Sequence, residues 1–373
     1  MQQNVIIKTK EMKLSFVFYY IFFTLIMIYY SFRMTLLDGQ FLALFLFLAI
    51  PFVLLKIIMT YYSLNELVSS FVLLIFGAAN ALLTKDTTIL ILFIALIGYK
   101  GVKEKTVLGI FFYTKLIALI ICVFLSVIGV INNKVAIDYR LGTQVIRYAF
   151  GFQHPNQLGI VFLSLTMIFL YLKKRFFKLE LEMLLWTFIN IGIYELTKSR
   201  TTFIVVLFYL FLYYLNYKIK IHKTLVFISI IAFPICFSLI FVLSLNLSNS
   251  FVYYIDNLLQ HRLIISNMYL STFHPTLMGQ SLGDQLLNGS VLDSGYLVLY
   301  LKYGLVVLFL IAILYALAIN KIVKLKQYSK LIPIIIIAFQ GITENVISSL
   351  IFNFTFIFIA EAIFQEKNIK VEK

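Results

Sequence analysis

Charge is scarce in this sequence: Asp, Glu, Lys and Arg together supply 13% of its 373 residues against 62% hydrophobic ones, and the mean hydropathy is +0.99. A soluble globular domain, with about a quarter of its residues charged, is thereby excluded. Cysteine is nearly absent: Cys122 and Cys236 both lie inside apolar runs, which leaves no disulfide framework and no cysteine metal motif. No Walker or dinucleotide glycine pattern occurs, and the short inner connections leave no room for the βαβ unit that a nucleotide-binding domain needs. The outer acids Asp38, Asp86, Asp138, Asp256, Asp284 and Asp293 contain no DxD pair, and no histidines stand at ligand spacing, so no metal and no cofactor is expected.

Long apolar runs are what the chain has in abundance. A membrane span takes about 20 such residues, and twelve candidates follow one another at 14–31, 41–59, 66–83, 87–99, 107–131, 156–172, 181–197, 201–217, 224–246, 293–318, 331–348 and 350–364. Residues Met1 to Lys13 are polar and basic, and the run behind them is too long for a signal-peptide core and lacks a small-residue cleavage site, so it reads as an uncleaved first span. The net charge of +15 points at first to nucleic acid, but most of it sits in short lysine clusters between runs. With the N-terminus inside, the clusters Lys100/Lys103/Lys105, Lys173/Lys174/Arg175/Lys178, Lys218/Lys220/Lys223, Lys321/Lys324/Lys326/Lys330 and Lys367/Lys370/Lys373 all fall on the cytoplasmic face, as the positive-inside bias requires. The expected fold is therefore all-α, a polytopic transmembrane helix bundle of about 12 spans. It forms a single integral membrane domain over 1–373, with both termini cytoplasmic and no nucleic-acid partner.

Two outer segments are long, 132–155 and 247–292, and irregular backbone outside the hydrocarbon is where sites tend to sit. In the second, apolar residues at Phe251, Ile255, Leu258, Leu259 and Ile265 predict one helix over 251–270 lying on the bilayer surface, with Pro275, Gly279, Gly283 and Gly289 breaking regular structure after it. Five of the six arginines, Arg33, Arg140, Arg147, Arg200 and Arg262, fall on the outer face. A guanidinium is a planar fork that grips phosphate oxygens in two places, so this bias points to an extracytoplasmic phosphate site.

Several polar groups admit two readings. His154, ahead of Pro155, either caps the sixth span with Asn156 and Gln157 or faces an anion at its N-terminus. Arg200 either pairs with Glu195 or meets a ligand phosphate. His261 on the surface helix is a headgroup contact or a site residue. Asp293-Ser294 is an N-cap, a proton acceptor, or both. Lys302 and Glu344 are expected to neutralise each other as a structural pair. Tyr139, Tyr148, Phe150, Phe152, Tyr253 and Tyr254 either stack on sugar rings or form an interfacial belt.

Three stretches, taken in order, carry a likeness: Arg147 to Gly159 with its Gly-Phe-x-His-Pro-Asn-x-Leu-Gly pattern; Thr197-Lys-Ser199-Arg200-Thr201; and Arg262 through Gly279 to Asp293-Ser-Gly-Tyr-Leu with Tyr303-Gly304. Together they resemble the O-antigen and capsule repeat-unit polymerases (Wzy-type), relatives of the O-antigen ligases. The resemblance covers 147–304, roughly half of the chain. It implies a metal-independent membrane glycosyltransferase in the cytoplasmic membrane of a bacterium. Such an enzyme transfers undecaprenyl-pyrophosphate-linked glycan onto another lipid-linked repeat unit at the outer face, in capsule or exopolysaccharide biosynthesis. Its partners would be polyprenyl-pyrophosphate-linked oligosaccharide, membrane lipids, a flippase and a chain-length regulator. By that likeness Arg147, Arg200 and Arg262 contact the pyrophosphate. The acceptor hydroxyl needs a proton acceptor, for which Asp293 is preferred to His154 and His274. Ligases place a His-Asn pair where this chain has Asp293-Ser294, a departure that argues against ligase activity. The rival reading is a flippase or transporter of the same lipid-linked oligosaccharide, against which stand the absence of an internal repeat and the gathering of arginines at one face.

Overall fold

The computed structural model describes residues 2–140, 143–172, 178–283 and 290–364; Lys173, Lys174, Arg175, Asp284, Gly289, Lys367, Lys370 and Lys373 lie outside them. In chain order the elements are α1 (Gln2–Arg33), α2 (Leu42–Ile58), α3 (Leu64–Thr84), α4 (Thr88–Gly98), α5 (Glu104–Val127), β1 (Val135–Arg140), β2 (Thr143–Tyr148), α6 (Pro155–Leu172), α7 (Leu179–Thr197), α8 (Arg200–Ile219), α9 (His222–Leu245), α10 (Ser250–Leu258) and α11 (Arg262–Thr272). They continue as α12 (Gly295–Leu297), a π-helical stretch (Val298–Tyr303), α13 (Gly304–Lys324), α14 (Leu331–Gln340) and α15 (Phe356–Ile363).

Apolar runs become helices because hydrocarbon offers backbone N–H and C=O groups no partner but each other. Among the described residues seven helices are long and apolar enough to cross a membrane: Leu14–Arg33, Leu64–Thr84, Glu104–Val127, Pro155–Leu172, Arg200–Ile219, His222–Leu245 and Gly295–Lys324. Leu42–Ile58, Thr88–Gly98 and Tyr328–Gln340 are shorter apolar helices. Large side chains such as Phe47, Leu82 and Phe211 stand well exposed on these helices, as lipid-facing residues do. The protein is a helical membrane protein.

Several expectations are corrected in detail. The segment 132–155 holds a β-hairpin, in which Val135 pairs with Tyr148 and Arg140 with Thr143. The single surface helix over 251–270 is two helices, because Asp256 turns its carboxylate to the first N–H groups of α11 and the chain reverses at Gln260 and His261, both left-handed. The runs 331–348 and 350–364 are not continuous helices. Between α14 and α15 the chain is irregular, held by Asn353, whose Nδ2 donates to Ile347 O (2.7 Å) and to Tyr315 Oη (2.7 Å) and whose Oδ1 accepts from Thr355 N (3.1 Å). Nearly all of this segment is buried, the condition under which non-helical backbone survives at membrane depth.

The chain divides into two compact units. The first comprises 1–62, 97–214 and 364–373. There α1 packs on α2 and α5, α5 on α6, and α6 on α7. Helix α6 is buried on almost every side and is the axis of the unit. Gly151, at φ +82°, follows the hairpin; a Cβ there would stand 2.7 Å from Cys122 O. The close approach lets Leu36 N donate to Gly151 O (2.8 Å) and Gln153 N to Met34 O (3.0 Å), which ties the end of α1 to the start of α6.

The second unit comprises 63–96 and 215–363. Helix α9 packs on α11, α13 and α14, and α13 on α15. A cavity of about 420 Å³ lies between α9, α13 and α14, walled by Ile230, Phe233, Ala316, Ile319, Ile334 and Ile337. The tenth expected span is interrupted at Gly304 (φ +86°), where the 276–280 segment crosses it: Leu305 N donates to Thr276 O (3.0 Å), Val306 N to Leu277 O (3.0 Å), and Gln280 N to Lys302 O (2.9 Å). A Cβ on Gly304 would lie 2.3 Å from Gly279 N, so the crossing admits no side chain. Asn80 clasps it from α3, donating to Met278 O (2.8 Å) and Tyr303 O (2.7 Å). Lys302 does not pair with Glu344. Its ammonium meets Asp86, which also accepts from Tyr303 Oη (3.2 Å). Burial alone would raise the Asp86 carboxyl; the bonds from Lys302 and Thr88 outweigh it and hold the group down at about 2.

Candidate functional site

Each unit carries a basic centre of its own. In the first, the hairpin does the positioning. Alternate residues of a strand share a face, and cross-strand partners lie beside them, so Asp138 and Arg140 of β1 and Arg147 of β2 fall on one side. Arg147 is enclosed and bonded through all three of its side-chain nitrogens: Nε donates to Thr197 O (2.9 Å), Nη1 to Asp138 Oδ2 (2.9 Å) and Nη2 to Asn156 Oδ1. Arg140 donates to Lys198 O (3.0 Å) and reaches Asp138 (3.4 Å). Burial first, then the charges of Arg147 and Arg200, push the Arg140 guanidinium below the usual arginine range, against the pull of Asp138.

Arg200 opens α8 one turn after α7 stops at a left-handed Lys198. The expected partner Glu195 is taken by Lys198, three residues on along the last turn of α7. Arg200 is half-buried and makes no hydrogen bond or ion pair with a described residue. Gly159 lets α6 and α8 approach: a Cβ there would stand 3.3 Å from Thr202 Cβ. Ser199 Oγ donates to Asn156 Oδ1 (3.3 Å), joining the two helix starts. The centre thus holds three guanidiniums against one carboxylate, beside the N-termini of two long helices, an arrangement suited to a multiply charged anion. His154 stands at its edge, exposed, with Nδ1 accepting from Asn156 N (3.2 Å), so its imidazole caps α6.

The second centre gathers Arg262 at the start of α11, Asp293 ahead of α12 and Glu344 beyond α14. Arg262 Nη2 donates to Glu344 Oε1 (2.7 Å) and lies 3.7 Å from Asp293 Oδ2. Its side chain is only 8% exposed, and Nη1 is buried with no hydrogen-bond partner. Burial opposes its charge, yet Glu344 and Asp293 overcome that and raise the guanidinium above its usual range. Asp293 keeps 40% of its side-chain surface open. Burial of the rest, with Arg262 pulling down and Glu344 pushing up, leaves its carboxyl raised to about 6. Ser294 occupies the N-cap position without making a cap bond, and its Oγ is buried and unpartnered. Gly295 N donates to Gly341 O (2.9 Å) and Tyr296 Oη to Ala338 O (2.9 Å), which fixes this turn against the end of α14. His274 is exposed, and its ring makes no hydrogen bond or ion pair with a described residue.

The three arginines grouped by sequence therefore divide, Arg147 and Arg200 in the first unit and Arg262 in the second. Asp293 does stand beside Arg262. Sequence reasoning missed Asp138 and Glu344 as members of these centres, and counted Arg140 among the outer arginines without assigning it a contact. The hairpin signal was present in the β-branched and aromatic residues around Gly142, and would have put Asp138 and Arg140 on one face with Arg147; nothing local announces Glu344, which lies 82 residues from Arg262. Among the described residues no group of three or more His, Cys, Asp or Glu stands together. Comparison with family models, with curated proteins and with solved structures finds no match to this chain.

Proposed function

We propose that the chain is a metal-independent membrane glycosyltransferase, a repeat-unit polymerase acting on polyprenyl-pyrophosphate-linked oligosaccharides. The observation that carries the reading is the second centre: an enclosed guanidinium with an unused N–H, beside a half-open carboxylate whose pKa is raised to about 6. The first element receives an anion; the second takes a proton near neutral pH. Glycosyl transfer from a diphosphate requires both. The C–O bond to the diphosphate breaks as negative charge grows on the leaving oxygen, and the acceptor hydroxyl gives up its proton as it attacks.

In this reading Asp293 is the base and Arg262 meets the diphosphate of the donor. In the first unit, Arg140 and Arg200 supply charge suited to an anionic headgroup. The apolar cavity of the second unit suits a hydrocarbon chain. The twelve-span topology with both termini inside and the centres outside belongs to the same proposal, as do a bacterial plasma membrane and cooperation with a flippase and a chain-length regulator. The test is to supply purified protein in detergent with lipid-linked repeat units and to follow glycan length. A polymerase lengthens the glycan there, whereas a flippase leaves it unchanged.

A further inference from the structure

Helix α10 ends and α11 begins around one carboxylate. Asp256 is fully buried; its Oδ1 accepts from Leu263 N (2.7 Å) and Ile264 N (3.2 Å), and its Oδ2 lies 3.2 Å from His261 Nδ1. His261 is held in the left-handed region at φ +61°, with 57% of its side chain exposed. Nε2 has no partner among the described residues. A buried carboxylate on one ring nitrogen fixes the orientation of the imidazole and leaves the other nitrogen facing outside. A cap for α11 needs only Oδ1. The second oxygen is spent on a histidine that packing does not require.

The next residue is Arg262, more than nine-tenths buried, with Nη1 lacking any partner. His261, the N-cap of α11, thus precedes by one residue a buried donor with no partner among the described residues.

We propose that His261 and Asp256 form a proton-transfer dyad that donates to the leaving diphosphate at Arg262; this rests on the transferase reading above. As the bond from the anomeric carbon to the diphosphate oxygen breaks, its electron pair stays on that oxygen, which takes the proton from His261 Nε2. The acceptor oxygen bonds to the anomeric carbon, and its proton passes to Asp293. Both side chains reach water, so His261 regains a proton from solvent and Asp293 returns one. Asp256 is a positioning residue.

The experiment uses full-length protein in detergent with lipid-linked repeat units, reading initial rates. His261→Gln lowers kcat by about 10²-fold or more, within the usual range for a general acid, and leaves KM unchanged. His261→Ala loses the same activity and regains part of it when imidazole is added, which a purely structural histidine does not do. Asp256→Asn keeps an acceptor for Leu263 and Ile264, so melting is unchanged while kcat falls. Parental rates in His261→Gln, or a defect in His261→Ala that imidazole leaves untouched, overturn the dyad while the transferase reading stands. Failure of the parent protein to lengthen any glycan overturns that reading and the dyad with it.

Discussion

The two basic centres are built on opposite balances. In the first, Arg140, Arg147 and Arg200 face a single carboxylate, Asp138, and the excess is positive. In the second, Arg262 lies between two carboxylates, Asp293 and Glu344, and a proton taken up by Asp293 lessens the negative charge beside it. A centre of the first kind receives an anion without rearranging; one of the second kind has an affinity for anions that depends on its own protonation. The difference separates holding from chemistry, and it separates the expected behaviour of variants in the two units.

The largest effect is expected from Arg262→Ala. It removes the guanidinium that pairs with Glu344, 10% exposed, and with Asp293, and breaking a buried pair from one side costs about 3–5 kcal/mol. Thermal unfolding in detergent and loss of polymer measure it together; a variant that melts like the parent would show that Arg262 is not the keystone of its centre. Asp293→Asn comes next, lowering the rate by about 10²- to 10⁴-fold with little change in melting. The parent rate should climb as pH rises through about 6, because the ionised carboxylate is the active base. That limb should vanish in the variant.

The first centre gives smaller and separable effects. Arg200→Gln removes a guanidinium with no hydrogen-bond or ion-pair partner among the described residues, so stability stays while the rate drops about 10²- to 10³-fold. Arg147→Gln does the reverse in emphasis: it strips bonds from Asp138, Asn156 and Thr197, and melting falls by about 1–3 kcal/mol. If the two variants behaved alike, the division between a receptor arginine and a framework arginine would be wrong. Glu195→Ala, at an exposed pair with Lys198, should move neither property by more than about 0.5 kcal/mol.

Where hydropathy alone decides, the sequence is a good guide. The expected spans 14–31, 66–83, 107–131, 156–172 and 224–246 each fall on a long apolar helix, and Ser63 with Glu66 forms the capping box that Ser-x-x-Glu announces at the start of α3. It fails where side chains compete with the backbone. Asp256 divides a helix that apolar periodicity runs together, and Asn353 with Thr355 holds open a stretch that composition reads as two spans. Ion pairing was least legible. Lys302 chose Asp86 over Glu344, partners 216 residues apart, because long-range packing and not spacing brings charges together in a bundle. Asp293 and Arg262 do lie side by side; Arg140 was counted among the outer arginines, but its neighbours Asp138 and Arg147 were not legible because membrane reasoning treats an outer segment as loop.

The clasp at the end of the broken segment has a practical consequence. Lys330, just before α14, binds Glu361 of α15 (2.8 Å), and Lys321 of α13 donates to the Glu361 carbonyl. The chain therefore leaves and re-enters the same layer between these residues. A reporter placed in the 325–330 turn and another joined after Ile363 must then give identical accessibility signals, whichever side of the bilayer that is, so two tags provide an internal control for any orientation assay.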